Sequence, residues 1–290
     1  MNIKNLTNIL FGNKTPKDGE VFEALINVDI SYITSHFAPY TGGDKAVLKS
    51  GERIIVHKSS QQRPTSVYCT PINYEDLEKD IVAKDEIDTP TYAGYTLYIK
   101  TSDLNNKFKI IERMPIKYIK GDATNPSDTK TKIIIHVCND IGGWGKGFVM
   151  AISKRWKQPE AEYRNWFKSK ELNTTDNVQF ERIESRDKYS NENKFELGNV
   201  QFVKVSSDLW VANMIAQVNT KPDKDGLPPI RYVFVKECLE RVTKFAQKTN
   251  ASVHMPRIGC GLAGGQWSEI EPLINHTLIA HGIDTTVYDF

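Results

Sequence analysis

Two stretches of this chain repeat one design: an apolar run that reads as a strand, a glycine-dense loop, and a helix behind it. The first is Ile135-His136-Val137-Cys138-Asn139-Asp140-Ile141-Gly142-Gly143-Trp144-Gly145-Lys146-Gly147. The second is Met255-Pro256-Arg257-Ile258-Gly259-Cys260-Gly261-Leu262-Ala263-Gly264-Gly265-Gln266-Trp267. Four glycines fall within six residues of the first loop. They free backbone N–H groups to approach an anion, and the helix N-terminus that follows adds partial positive charge. Open α/β sheets take their ligands at the carboxyl ends of strands, so a pair of such loops predicts a diphosphate gripped from both sides. Lys146 sits within the first loop, either meeting a phosphate or solvated. Trp144 either walls the site or anchors the loop. The Walker pattern GxxxxGK[ST] does not occur, which argues against an NTPase.

The chain divides around residue 112. Residues 113–290 alternate strand and helix. Strands are expected at Ile116–Ile119, Lys132–Val137, Val200–Val205, Leu209–Ile215, Ser252–Met255 and Thr285–Tyr288. Helices are expected over about 147–156, 159–170, 231–248 and 268–281. The third carries Val235, Cys238, Leu239, Val242, Phe245 and Ala246 on one stripe. The last opens on Ser268 and Glu271, the spacing of a capping box, and turns Ile270, Leu273, Ile274 and Leu278 inward. This alternation predicts a three-layer α/β domain. Residues 172–194 interrupt it with a polar, charged stretch that reads as a surface insertion.

Residues 1–112 read as a small, β-rich α+β domain. Short β-like runs occur at Ile30-Tyr32-Ile33, Arg53–Val56, Ser66–Cys69 and Tyr95–Ile99, separated by turn formers such as Thr41–Asp44 and Ser50-Gly51. Helical spacing appears at Ile3, Leu6, Ile9 and Leu10, and a helix is expected at Asn73–Val82. The aromatic turn Phe37-Ala38-Pro39-Tyr40 is either a packed hairpin end or a binding surface. No chemistry and no partner can be assigned to this part.

With 38 basic and 36 acidic side chains, the formal charge of +2 gives no global field for nucleic acid. Cys69, Cys138, Cys238 and Cys260 form no CxxC pair, so neither a disulfide framework nor a zinc site is expected. The six histidines show no metal-ligand spacing, and no metal or cofactor is expected. The amino terminus lacks the features of a signal peptide, and no run approaches the ~20 apolar residues of a membrane span. A cytoplasmic protein without a membrane partner is the expectation.

A third feature follows the first strand of the second part: Gly121-Asp122-Ala123-Thr124. A carboxylate at a strand end can accept from an exocyclic amine while backbone groups address a heterocycle's edge. With this feature beside the two loops, residues ~114–290 resemble a macrodomain. MPRIGCGL…QW and the ending TTVYDF are similar to the branch of the terminal ADP-ribose protein glycohydrolase. HVCNDIGGWGKG followed by KRWKQPEAEY is closer to the yeast-type ADP-ribose-1″-phosphate phosphatase. The resemblance implies a three-layer α/β/α fold with a mixed sheet, and ADP-ribose or a derivative as ligand.

The resemblance also implies roles by position. Gly121, Asp122 and Ala123 would hold the adenine, with Asp122 on its amine and Tyr288 flanking it. Gly143, Trp144, Gly145, Lys146 and Gly147, with Ile258, Gly259, Cys260, Gly261, Leu262, Ala263 and Gly264, would line the diphosphate and distal ribose. Asn139 would sit by that ribose. The glycohydrolase's lysine nucleophile is matched by Gln217, which cannot form a Schiff-type adduct, and its acidic residue by Ala263. The phosphatase's histidine is matched by His136. That histidine serves equally as an acid or base on a phosphoester, or as a buried side chain at a strand end. Asp140 orients a water or ribose hydroxyl, or is a solvated turn residue.

Three functions follow. The first is hydrolysis of a group on the distal ribose, the 1″-phosphate foremost, with His136, Asn139 and Asp140 as catalytic candidates. The second is a non-catalytic reader of ADP-ribose or another NAD-derived nucleotide. The third is removal of ADP-ribose from an ADP-ribosylated protein or nucleic acid by a route without lysine.

Overall fold

The protein's structure, a computed structural model, describes residues 20–30, 33–35, 46–57, 66–71, 95–111, 114–181 and 193–289. These fall into two units, one on either side of residues 113 and 114.

The first unit is built from β1 (Val21–Ala24), β2 (Val28–Ile30), β3 (Ile33–Ser35), β4 (Ala46–Leu48), β5 (Arg53–His57), β6 (Ser66–Pro71), β7 (Tyr95–Lys100), α1 (Thr101–Lys107) and β8 (Phe108–Ile111). Six strands pair antiparallel in the order β3-β7-β6-β5-β1-β8, while β2 and β4 pair separately. Phe22, Leu48, Ile54, Leu97, Leu104 and Phe108 form its core. The expected β runs Arg53–Val56, Ser66–Cys69 and Tyr95–Ile99 each lie within one strand; of the run Ile30-Tyr32-Ile33, Ile30 ends β2 and Ile33 opens β3, while Tyr32 lies outside the described residues. β1, β4 and β8 were not expected, because three or four residues are too few to show alternation. β1 is tied to both neighbours by side chains as well as backbone: Glu23 pairs with Arg53 of β5 at 3.0 Å and Lys109 of β8 at 2.5 Å. The helix expected at Asn73–Val82, the helical spacing at residues 3–10 and the aromatic turn at 37–40 lie outside the described residues.

The second unit runs β9 (Lys117–Lys120), β10 (Thr131–Asn139), α2 (Phe148–Arg155), α3 (Gln158–Ser169), β11 (Val178–Gln179), β12 (Val200–Ser206), β13 (Leu209–Gln217), α4 (Tyr232–Thr249), β14 (Ala251–Pro256), α5 (Trp267–Ile274) and β15 (Thr285–Asp289). Its seven strands are ordered β11-β12-β13-β10-β14-β15-β9. β13, β10, β14, β15 and β9 are mutually parallel; at one edge β12 pairs antiparallel with β13, and β11 antiparallel with β12. β10 and β13 are central, and successive residues serve opposite faces. Ile133, Ile135, Ala212 and Met214 pack under α4 and α5. Ile134, Cys138, Val211 and Ile215 pack under α2 and α3 with Trp144, Ile152, Tyr163 and Trp166. The sheet is mixed and covered by helices on both faces, as the three-layer expectation requires.

Two expectations are corrected. The last helix begins at Trp267 with Gln266 as its cap residue and no side-chain cap, so the Ser268/Glu271 capping box does not form. Glu271 instead accepts from the Tyr118 hydroxyl. The helix then widens into a π-type turn over Asn275–Ile279. Residues 172–181 are not purely surface: Leu172 and Val178 are buried, and β11 extends the sheet. Residues 182–192 lie outside the described set.

Candidate functional site

β10 and β14 are adjacent and parallel, so both glycine-rich loops leave the sheet side by side. The first leads to α2, whose Ile152 packs on one face of the sheet; the second leads to α5, whose Ile270 and Ile274 pack on the other. Connections that part to opposite faces leave a crevice at the strand ends. The loops meet there: a Cβ built on Gly147 would lie 3.4 Å from Leu262 Cδ1. Gly147 has φ 78° and ψ −150°, a combination essentially confined to glycine, and α2 starts directly after it without a side-chain cap. The N–H groups of Gly145, Lys146, Gly147, Gly261 and Leu262 meet no acceptor among the described residues. Gly145, Lys146, Gly147, Gly261 and Leu262 are exposed, whereas Ile258 and Ala263 are buried. Gly259 (φ 70°) lies tight against Ile230 and Ile270. Cys260 is half-buried, and burial raises its thiol pKa. Gly259–Gly264 also spells GxGxxG, but here Gly264 stays in the loop against Pro228 and α5 begins only at Trp267, unlike a dinucleotide fingerprint that opens a helix.

The first loop is braced from below. Asn139 Oδ1 accepts from the N–H groups of Gly143 (2.8 Å) and Ile141 (3.2 Å), and its Nδ2 donates to the Gly143 carbonyl (2.7 Å). The Tyr163 hydroxyl donates to the Asn139 carbonyl at 2.5 Å. Trp144 is buried and donates its indole N–H to Ser153, which makes it an anchor of the loop and not an exposed wall.

The third feature stands at the end of β9. Asp122 Oδ1 accepts from the N–H (2.8 Å) and hydroxyl (2.7 Å) of Thr124, and Oδ2 from Arg155 Nη2 (2.9 Å). Burial alone would raise its pKa, but these donors outweigh burial and hold the carboxyl below its ordinary value. Gly121 donates to the Asp289 carbonyl, and Ala123 is buried. Tyr288 is 5% exposed, its ring 3.5 Å from where a Gly121 Cβ would stand, so it forms a floor beneath this turn. His254 holds the ring in place: Nδ1 lies 3.1 Å from the Tyr288 hydroxyl and Nε2 2.9 Å from Ser252 Oγ.

The catalytic candidates are not all brought to the crevice. His136 is 2% exposed, with Nε2 2.7 Å from Asn213 Oδ1 and its ring edge-on to Trp144. Burial lowers its pKa to about 4, only partly opposed by the Asn213 hydrogen bond, so the ring is neutral near pH 7. Buried against Trp144 and held by Asn213, the ring has the geometry of the buried role. Asp140 does lie at the loop's start. Its Oδ1 accepts from Asn219 N–H at 2.7 Å, and Oδ2 takes no hydrogen bond among the described residues. Gln217 donates to the Asn219 carbonyl, and Ala263 faces the core. An acid at 263 would have to be buried.

No family model matches the chain. A solved macrodomain protein from Streptomyces coelicolor is 47% identical, over 60% of this chain and 99% of that one, with a TM-score of 0.48. The chain belongs to the macrodomain family. A protein of unknown function from Bacteroides thetaiotaomicron is 50% identical over 62% of this chain and 100% of that one, with a TM-score of 0.53. Among curated proteins, the chromodomain-helicase-DNA-binding protein 1-like of Danio rerio is 31% identical over 182 residues. That match takes in 60% of this chain but spans only 15% of the relative's length. The ADP-ribose 1″-phosphate phosphatase of Lodderomyces elongisporus is 23% identical over 171 residues, 56% of this chain and 92% of that protein.

Several residues that shape the macrodomain's crevice were not given a role from the sequence: Arg155 at Asp122, Tyr163 at Asn139, and Ser153, Glu160 and Arg164 beneath the first loop. Arg155, Glu160 and Tyr163 lie in the KRWKQPEAEY stretch that carried part of the resemblance. Arg155 closes α2 while Glu160 and Tyr163 lie in α3, so their types and spacing in the sequence show positions on two helices and no more.

Proposed function

We propose that this macrodomain binds ADP-ribose or a close derivative, with the adenine at Asp122, the diphosphate between the two loops, and the distal ribose beside Gly143 and Gly259–Gly264. The observation that carries this is the pairing of two loops, whose exposed N–H groups meet no acceptor among the described residues, at one end of α2 with the Arg155–Asp122 pair at the other. α2 has eight residues and so spans about 12 Å, a reach that suits a ligand with a base at one end and a diphosphate in its middle. The name of the Lodderomyces relative points to the same class of ligand.

Binding, and not His136-driven hydrolysis, is the reading this geometry favours. A second reading, hydrolysis of a group from the distal ribose, is favoured by one feature: Asp140 Oδ2, at the mouth of the first loop and without a hydrogen bond among the described residues, able to orient a water. The test is calorimetric titration of the full chain with ADP-ribose beside AMP, followed by assays of phosphate release from the 1″-phosphate and of ADP-ribose release from an ADP-ribosylated protein. ADP-ribose binding well above AMP binding, with no turnover, supports the binding module. Turnover that is lost in Asp140→Asn and kept in His136→Asn supports the second reading. A protein that fails to bind ADP-ribose sinks both.

A further inference from the structure

Among the described residues, the peptide that joins Trp144 to Gly145 is held by its carbonyl end only. Arg164 Nη2, from α3, donates to the Trp144 carbonyl at 3.0 Å, and Nη1 reaches the Gly142 carbonyl at 3.4 Å. In a planar trans peptide the N–H points opposite to the C=O. With the Trp144 carbonyl drawn toward α3, the Gly145 N–H is turned to the open side of the loop. The peptide between Gly142 and Gly143 differs, because Asn139 also takes its N–H. Gly145 has no Cβ to resist rotation of its peptide, and a Cβ there would meet nothing within 4 Å. Among the described residues no other side chain holds the Trp144 carbonyl.

The guanidinium is fixed in turn. Glu160 Oε1 accepts from Arg164 Nε at 3.0 Å, Glu160 Oε2 accepts from Ser153 Oγ at 2.8 Å, and Ser153 Oγ accepts from the Trp144 indole at 2.8 Å. The circuit begins and ends on Trp144. Burial alone would raise the Glu160 pKa, but Ser153 and Arg164 hold it below its ordinary value, so it is charged when the loop is used.

We propose that Arg164, set by Glu160 and Ser153, is the positioning residue that aims the Gly145 N–H into the crevice as a donor for the ligand's diphosphate. This rests on reading the loop as an anion cradle. A rotated peptide would offer the phosphate a carbonyl oxygen in place of a donor, which opposes binding.

The test uses the 15N-labelled full chain, with Arg164→Ala and Arg164→Lys beside wild type. Arg164→Ala is expected to shift the Gly145 amide resonance in the ligand-free protein and to weaken ADP-ribose about tenfold, the worth of one charge-assisted hydrogen bond. Arg164→Lys should rescue little, since an ammonium lacks the fork that spans two carbonyls. Adenosine, which has no phosphate, should bind each variant as it binds wild type; a general loss of structure would weaken it too. An unmoved Gly145 amide, or an ADP-ribose affinity within about twofold of wild type in the alanine variant, overturns the proposal. If wild type does not bind ADP-ribose, the functional reading fails on its own. Pyrophosphate then serves as the probe: weaker binding in Arg164→Ala upholds the positioning role, and equal binding overturns it.

Discussion

Asp122 and Asn139 show how differently two polar residues at strand ends are used. Asp122 keeps its carboxylate partly exposed while Thr124 and Arg155 hold it charged and oriented. Replacing it with alanine is expected to weaken ADP-ribose by about tenfold or more with little change in melting temperature, as for loss of one charge-assisted contact. Asn139 spends its amide on Ile141 and Gly143. Asn139→Ala should therefore cost both affinity and stability, the latter by about 0.5–1.5 kcal/mol for each hydrogen bond lost, measured by denaturant unfolding. His136 and His254 are buried and neutral, each with a pKa lowered to about 4 chiefly by burial. The native state then binds fewer protons than the unfolded chain between about pH 4 and the unfolded value near 6.5. Their contribution to stability is complete above about pH 6.5 and lost as pH falls toward 4. Melting curves at pH 5 and pH 7 should show this loss, and His136→Asn should shrink it; an unchanged slope would contradict it. The sequence placed His136 at a strand end but not its ring. Its partner Asn213 is 77 residues away, and only the register of β10 on β13 brings the two together.

At the scale of elements, the strands that matter were the ones the residues describe best. Thr131–Asn139 and Leu209–Gln217 are apolar on both faces because both faces are covered. A continuous run of branched residues is the signature of that environment. Ile135→Ala is expected to cost about 2–5 kcal/mol, as for other large-to-small core changes. By contrast, β11 is two residues long inside a polar stretch, and no periodicity could announce it. The capping box at Ser268 failed for a related reason: local spacing is satisfied, but Glu271 has a better use in Tyr118, which lies 153 positions away on β9. Both glycine loops were legible as loops, while the braces beneath them were not. Ser153, Glu160 and Arg164 look like ordinary polar positions on helices until α2 and α3 are packed together.

For the molecule as a whole, the division near residue 113 was legible as a change from short β-like runs to strand–helix alternation. The Bacteroides thetaiotaomicron relative is accounted for over 100% of its length by 62% of this chain. Residues 114–290, which carry their own cores on both faces of their sheet, are accordingly expected to fold when expressed alone. They should melt in one cooperative transition and bind ADP-ribose within a few-fold of the full chain, a comparison that calorimetry makes directly. A large loss of affinity on removing residues 1–113 would assign that part a share in the site.

The bracing of the first loop has a consequence for the thermodynamics of recognition. A segment with four glycines in six residues has an unusually large number of accessible conformations when unfolded, and fixing each residue costs roughly 1–2 kcal/mol. Asn139, Tyr163, Trp144 and Arg164 impose that ordering when the chain folds, before any ligand arrives. On the proposed reading of the loop, an incoming diphosphate would meet a receptor already ordered and lose little affinity to loop immobilisation. Variants that loosen these braces should move the entropy of association in the unfavourable direction, with the loss of affinity expressed as faster release of the ligand.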